Sequence, residues 1–184
     1  MNPFKSRRLA LSVLCAWWLL GLEACTHNIH VTPVPSATST AAIDQTLRVE
    51  VPLLELQGPD RMPGISLLEW PAADLRRAIV EYANQRGTFL AAGDDPQGAL
   101  TLAVKGWLWV RSREAYQYTV HLESDLGPSG KPPVKSYVVQ HERMGSRVRW
   151  ITASDQDPIA AAVQAALDDL FAQIEEDAAL YGKR

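Results

Sequence analysis

The chain has 184 residues, of which 47% are hydrophobic and 21% are charged, and its formal net charge at pH 7 is −3. This length accommodates a single domain of ordinary size, which can bury enough apolar surface to fold unaided. The slightly acidic balance argues against nucleic acid as a partner, because phosphate binding requires clustered lysine and arginine.

The first 24 residues have the organisation of an export signal. Lys5, Arg7 and Arg8 form a short positive region, and residues 9–22 follow without a charge. That uncharged stretch is shorter than the roughly 20 apolar residues that a helix needs to cross a bilayer. It therefore predicts a signal peptide over residues 1–24, removed on export, rather than a membrane span.

The signal ends in the tetrad Leu22-Glu23-Ala24-Cys25, in which a leucine stands three residues before the cysteine and a small residue just before it. This tetrad resembles the lipobox of bacterial lipoproteins, from which only Glu23 departs. The resemblance implies diacylglycerol on the Cys25 sulfur, cleavage after Ala24 and a fatty acyl group such as palmitate on the new amino terminus. The competing interpretation is an ordinary secreted protein whose signal ends near a cysteine.

The same resemblance bears on the compartment. Thr26 follows the cysteine, in place of the aspartate associated with inner-membrane retention, and this resembles a signal for sorting to the outer membrane. The lipoprotein interpretation thus predicts a lipid-anchored, periplasm-facing protein of the outer membrane, with the inner membrane as the alternative. Because Cys15 lies inside the signal, the mature chain would have no intramolecular disulfide.

Residues 26–42 read THNIHVTPVPSATSTAA, a stretch rich in Pro, Ser, Thr and Ala that has no acidic residue, lysine or arginine. Such a composition is typical of a flexible linker. We therefore expect the lipidated Cys25 and a linker over residues 25–46. This linker would hold a single folded domain, residues 47–184, some tens of Å from the membrane.

The domain is predicted to begin with a strand at Leu47–Leu56, in which Pro52 indicates an edge or a bulge. A helix is predicted over Pro71–Arg86, because proline suits the first turn and apolar residues recur at helical spacing as far as the stop at Gly87. Thr88–Ala91 is predicted to form a short strand.

Alternating apolar and polar residues then predict four further strands. In chain order they are Ala99–Arg113, Tyr116–Glu123, Val134–Arg143 and Ser146–Thr152. Short connections between them favour an antiparallel meander. The leucine-rich face of the longest strand is expected to be covered by helices, because the lysine and arginines on its other face cannot be buried unpaired.

The last helix is predicted to start at Asp157-Pro158, since aspartate caps a helix and proline suits its first turn, and to close at Gly182. Its acidic residues, Asp168 and Glu175 among them, are expected on the solvent side. The order of elements predicts an α+β fold. We expect a two-layer sandwich, with a mostly antiparallel sheet and two amphipathic helices on one of its faces.

Several segments from Asn84 onward share their spacing and character with a known family. They are the Arg86-Gly87 helix end, the strands LTLAVKGWLWV, YQYTVHLES and KSYVVQ, and the closing run of Ile159 to Val163, Leu167 and Ile174. In these segments the chain resembles the YajG-like family of uncharacterised bacterial lipoproteins. The resemblance implies export, a lipid anchor and a compact α+β domain, and it implies no particular activity.

The sequence contains no recognisable catalytic or cofactor-binding motif. His27 and His30 have a spacing that could place two ligands on a metal, but no third ligand stands near them. Residues 127–131 resemble a phosphate loop only superficially, because Pro132 replaces the required Ser or Thr, and they are typical of a turn. We therefore expect no enzymatic activity, no cofactor and no metal.

One face of the longest strand combines aromatic and cationic side chains. The candidate binding residues are Lys105, Trp107, Trp109, Arg111 and Arg113, with Arg147 and Arg149 joining them across the sheet. Tryptophan offers a flat apolar surface and arginine a bidentate donor, a combination that suits a glycan, an acidic peptide or a lipid headgroup. Alternatively, the indole rings pack under the linker or a loop and the arginine side chains lie over them.

These features predict a membrane-anchored, non-enzymatic periplasmic domain. Its role would be that of an accessory or binding domain for an envelope component or a protein partner. The alternative is a lipoprotein subunit of an envelope transport or secretion machine, with the open sheet face as its docking surface.

Overall fold

The structure is a computed structural model that describes residues 26–58, 67–95, 97–145 and 153–182. Its regular elements, in chain order, are β1 (Thr26–Asn28), β2 (Ile43–Gln57), β3 (Leu67–Glu69), α1 (Ala72–Arg86), β4 (Phe89–Gly93), β5 (Leu100–Ser112), β6 (Tyr116–Pro128), β7 (Lys135–Met144), α2 (Ala153–Glu176) and a 3₁₀ helix (Ala178–Tyr181). None of the helices in these ranges has the length and apolar character needed to cross a membrane.

The central sheet has five strands in the order β4-β2-β5-β6-β7. β5, β6 and β7 are joined antiparallel, as their short connections predict, and this part of the meander is confirmed. β2 instead lies parallel to both β4 and β5, and β1 and β3 form a separate parallel pair. The chain is therefore a mixed α/β domain in which antiparallel pairing is the more extensive kind.

The parallel pairing of β2 follows from the position of α1. This helix connects β3 to β4 and packs on β2 and β4, and a helical crossover of this kind returns the chain in the parallel direction. Pro52 lies in a register shift between Glu50 and Leu53, beyond Arg48, the last residue that pairs with β4. Because of this irregularity, the missing N–H of Pro52 removes no bond from a regular ladder.

The predicted boundaries hold to different extents. α1 is confirmed, and its last turn closes on Gly87, whose φ of 75° is left-handed and whose N–H donates to the Ala83 carbonyl at 3.0 Å. α2 begins at Ala153, so the predicted start at Asp157 is wrong. β6 continues to Pro128, which faces Leu100, because pairing with β5 overrides the local turn signal. The predicted strand Ser146–Thr152 lies outside the described residues.

The core lies between the leucine-rich face of β5 and the two helices. The buried residues of β5 are Leu100, Leu102, Val104, Leu108 and Val110, as predicted for the covered face. α1 contributes Leu75, Ile79 and Tyr82, and α2 contributes Val163, Leu167, Leu170, Phe171 and Ile174. Gly106 allows close packing in this layer, because a Cβ there would meet Leu54 at 2.8 Å and Leu75 at 3.1 Å.

Residues 26–46 do not form the flexible linker that their composition predicts. β1 pairs with β3, and Ile29 and Val31 are only 4% and 5% exposed within the core cluster. Residues 43–46 already belong to β2. The prediction from composition was wrong because two apolar side chains are enough to attach a short extended segment to the core, while its polar neighbours remain in solvent. Residues 29–42 are named the strap below.

The strap lies across both helices, and hydrogen bonds hold it there in addition to its buried apolar side chains. The Val34 N–H donates to Gln164 Oε1 at 2.7 Å, and the Ser36 hydroxyl donates to Asp168 Oδ1 at 2.9 Å. The Ser39 N–H donates to the Arg86 carbonyl at 2.8 Å. The strap therefore runs from the start of α1 towards its end, and it lies on the helical side of the sheet.

Candidate functional site

Odd-numbered residues of β5 point away from the helices, as the sequence predicts, and form the open face of the sheet. Lys105 and Arg111 are exposed there, and Trp107 and Trp109 are half-buried. Arg113 follows in the exposed bend between β5 and β6. Arg147 and Arg149 lie outside the described residues, so their place beside this face stays a prediction.

The two tryptophans meet around a histidine that the sequence analysis did not single out. His121 on β6 stands opposite Trp107, and its ring centroid lies 5.4 Å from that of Trp107 and 5.5 Å from that of Trp109. The Trp109 indole N–H donates to Gln57 Oε1 at 2.7 Å. We name Trp107, Trp109, His121 and Gln57 the tryptophan cluster.

The strap is bonded to both helices, whose buried residues share the core with the even-numbered residues of β5, so the linker does not cover the indole rings. That a loop covers them stays a prediction, because residues 59–66 and 146–152 lie outside the described residues. His121 Nε2 lies 3.4 Å from Glu123 Oε1, while its Nδ1 is buried and has no hydrogen-bond partner among the described residues. A buried ring nitrogen without a partner among the described residues is unusual, because most buried polar groups are hydrogen-bonded.

The charges around the cluster are mixed rather than uniformly basic. Lys105 stands between Leu53 on β2 and Glu123 on β6, and Glu55 stands beside Trp107. The exposed arginine of the strand, Arg111, faces the neutral Gln117. The surface therefore offers both hydrogen-bond donors and carboxylate acceptors around its indole rings, a combination that sequence spacing on β5 alone does not reveal.

A cleft of about 430 Å³ opens at the other end of the same face. Thr101 and Ala103 of β5 form its floor, and one wall carries Arg48 and Glu50, whose side chains pair at 2.8 Å. The opposite wall includes Lys131 and Pro133 from the connection between β6 and β7. No local pattern in the sequence indicates this cleft, because its wall at Arg48 and Glu50 depends on β2 being the parallel neighbour of β5.

A polar network is buried between the helices. Arg86 at the end of α1 donates two hydrogen bonds to Glu175, from Nε to Oε1 at 2.7 Å and from Nη2 to Oε2 at 2.9 Å. Thr88 donates to the same carboxylate at 2.7 Å, and Tyr82 connects Arg86 to Asp168. Glu175 is buried, so the expectation that it lies on the solvent side of the last helix is wrong, whereas Asp168 is half-buried with its side chain 25% exposed.

The hydrogen bonds of the network keep its acids ionised. Burial raises the pKa of Glu175, but the hydrogen bonds from Arg86 and Thr88 outweigh burial, and the pKa lies below its ordinary value. The pKa of Asp168 is lowered in the same way, with burial opposed by bonds from Tyr82, Gln164 and Ser36. Because these carboxylates are occupied by fixed donors, the network is structural and holds the two helices and the strap together.

Of the two histidines in the N-terminal segment, only His30 has a described side chain. His30 Nδ1 lies 3.2 Å from Asp74 Oδ2, at the start of α1. No group of three potential ligands comes together among the described residues. The side chain of His27 lies outside them.

No protein-family model and no curated protein sequence matches this chain. Among solved structures, a Xanthomonas campestris protein of the DUF330 family is similar with a TM-score of 0.53 at 16% identity, over 83% of this chain and 96% of that one. A hypothetical protein from Chlamydia trachomatis has a TM-score of 0.52 at 9% identity, over 73% and 98%. At such identities the likeness shows the fold alone.

A minor lipoprotein from Acinetobacter baumannii has a lower TM-score of 0.39, at 13% identity over 73% of this chain and 92% of that one. A likeness of this size does not establish a common fold. Membership of the YajG-like family accordingly stays a prediction.

Proposed function

We propose that the chain is a lipid-anchored, non-enzymatic periplasmic domain of the outer membrane, and that it binds an envelope glycan through the tryptophan cluster. The anchor is carried by one observation, the tetrad Leu22-Glu23-Ala24-Cys25 at the end of an export signal. The helices would form one layer on the sheet, leaving the cluster on the free side. The folded domain would start at residue 26 rather than residue 47, because the strap packs into the core.

The chemistry of the cluster favours a glycan over the other two candidate ligands. Sugar rings present apolar C–H faces that pack on indole rings, and their hydroxyl groups both donate and accept hydrogen bonds. Glu55 and Glu123 supply acceptors next to Trp107 and His121. The same carboxylates would repel an acidic peptide or a phosphate headgroup.

The anchor is tested by comparing two cysteine variants in the bacterium. Cys25→Ser is expected to move the protein from the membrane fraction to the soluble fraction, because the sulfur that carries the lipid is lost. Cys15→Ser is the matched control and is expected to leave the protein in the membrane, since residue 15 would be removed with the signal. Membrane retention of the Cys25→Ser protein, or equal release of both variants, would contradict the anchor.

Glycan binding is tested with the mature protein in detergent, by retention on lipopolysaccharide and on peptidoglycan. Trp107→Ala combined with Trp109→Ala is expected to weaken retention by about tenfold or more, since each aromatic contact contributes roughly 0.5–1.5 kcal/mol. Leu180→Ala, which changes an exposed apolar side chain on the 3₁₀ helix, is the control. Circular dichroism verifies that each variant is folded.

Two results would count against the glycan. Unchanged retention in the folded double variant would exclude the cluster as the binding site. Stoichiometric recovery of one protein subunit from membranes, with no retention on either glycan, would instead favour the alternative of a transport or secretion machine.

A further inference from the structure

The folded domain begins immediately after the residue proposed to carry the lipid. Cys25 is bonded to Thr26, the first residue of β1, and consecutive Cα atoms lie about 3.8 Å apart. β1 pairs in register with β3 from Thr26 opposite Leu67 to Asn28 opposite Glu69. The next residue, Ile29, donates its N–H to the Glu69 carbonyl at 2.7 Å. There is thus no free chain between Cys25 and the domain.

The contacts of the strap keep the first residues of the domain bound to its core and to α2. Ile29 and Val31 are buried, and the Val34 and Ser36 backbones are bound to Gln164 and Asp168 on α2. Release of this segment would expose two apolar side chains and leave the polar groups of α2 without these partners. Although its composition is typical of a flexible linker, this segment therefore adds almost no distance between Cys25 and the domain.

The topology shows which end of the domain adjoins the anchor. β2 and β5 run parallel, and β2 ends at Gln57, opposite Trp109, shortly before β5 ends at Ser112. The Ile43 N–H at the start of β2 donates to the carbonyl of Thr88, just after α1, so α1 ends beside the start of β2 and begins towards the end at which β2 finishes. β1, β3, the first turn of α1 and the bend at residues 113–115 are named the anchor end.

The opposite end carries the connection between β6 and β7, at residues 129–134, and the end of α2. Lys135 and Asp177 form an ion pair there. β5, with 13 residues, connects the two ends and spans roughly 40 Å.

The anchor end also exposes Arg111 and Arg113 beside Glu114, and these arginines can contact lipid phosphates.

We infer that the lipid holds the domain directly against the bilayer, with the anchor end on the headgroups and residues 129–134 pointing roughly 40 Å into the periplasm. This inference rests on the proposed acylation of Cys25. The strands of the open face then run away from the membrane, so the tryptophan cluster lies near the lipid surface and the cleft lies further from it. The open face therefore binds its ligand at a fixed distance from the membrane surface, whereas a flexible tether would let that distance vary.

The geometry is tested with fluorescent labels on the mature, acylated protein in vesicles. The acylated chain would have no free thiol, so Glu69→Cys at the anchor end and Lys131→Cys at the opposite end each provide one labelling site. Both positions are exposed. Energy transfer to acceptor lipids in phosphatidylethanolamine–phosphatidylglycerol vesicles is expected to be several-fold greater from position 69 than from position 131.

A matched control restores the tether. Inserting about ten Gly-Ser residues between Cys25 and Thr26 leaves the domain unchanged and is expected to reduce transfer from position 69 and remove most of the difference. Equal transfer from both positions without the insertion would overturn the inference, provided that mass spectrometry of the same vesicle sample finds the acyl chains. An unacylated chain in that sample would overturn the proposed anchor and, with it, this inference.

Discussion

Replacing Glu175 with alanine is expected to lower the free energy of unfolding by about 3–5 kcal/mol. The Arg86 guanidinium is held by both carboxylate oxygens of Glu175, and its side chain is only 8% exposed. Without the carboxylate, a buried positive charge keeps only Tyr82 and the more distant Asp168, at 3.8 Å, as polar partners among the described side chains. Urea unfolding of the mature domain in detergent, followed by circular dichroism, measures the loss.

An exposed ion pair provides the control for Glu175. Arg76 and Asp94 lie 2.8 Å apart, but their side chains are 39% and 61% exposed. Asp94→Ala is therefore expected to cost less than about 1 kcal/mol. If the two substitutions destabilise the domain equally, the Arg86–Glu175 pair is not the buried link between the helices.

Phe171→Ala is expected to lower the free energy of unfolding by about 3–5 kcal/mol, through lost burial and the cavity that remains. Phe171 is fully buried on α2. Its ring centroid lies 5.0 Å from that of Tyr82 on α1 and 6.4 Å from that of Phe89 on β4, so it joins three elements. The change in the denaturant midpoint, at constant slope, measures the effect.

Leu90→Ala is the comparison for Phe171, because the neighbouring Leu90 side chain on β4 is 67% exposed. Its expected effect is within about 0.5 kcal/mol. A loss below about 1 kcal/mol for Phe171→Ala would mean that the contact between the two helices and β4 is not packed as described.

Local signals were sufficient for much of the fold. Proline at position 71 and glycine at position 87 delimit α1, and the alternation along β5 identifies the covered face, because both depend on neighbours in sequence. The parallel pairing of β2 with β4 and β5 depends on how the crossover through α1 packs. No pattern within β2 reports that packing.

The predictions that were wrong also concern contacts between residues distant in sequence. Arg86 and Glu175 are 89 positions apart, so nothing local to Glu175 distinguishes a buried, paired carboxylate from a solvent-exposed one. Ile29 and Val31 stand in a segment of polar composition, and their burial depends on packing in the core cluster with residues distant in sequence. For the candidate site, the direction of Trp107 and Trp109 was predictable, whereas the enclosure of His121 required the register of β5 with β6.

The strap would change what the proposed anchor does. A flexible linker would allow the domain to reach partners far from the membrane, whereas a packed strap would fix both distance and orientation. As a flexible linker, residues 26–42 would let the tryptophan cluster meet a glycan far from the membrane. As a packed strap, they would keep the cluster close to it. The polar network would contribute to this orientation, because Asp168 binds both the strap and Tyr82.

The acylation of Cys25 is tested most directly by the intact mass of the protein extracted from membranes. The account predicts a chain that begins at Cys25 and carries a diacylglyceryl group and one further acyl chain. An unmodified amino terminus, or a product cleaved at another position and found in the soluble fraction, would contradict it.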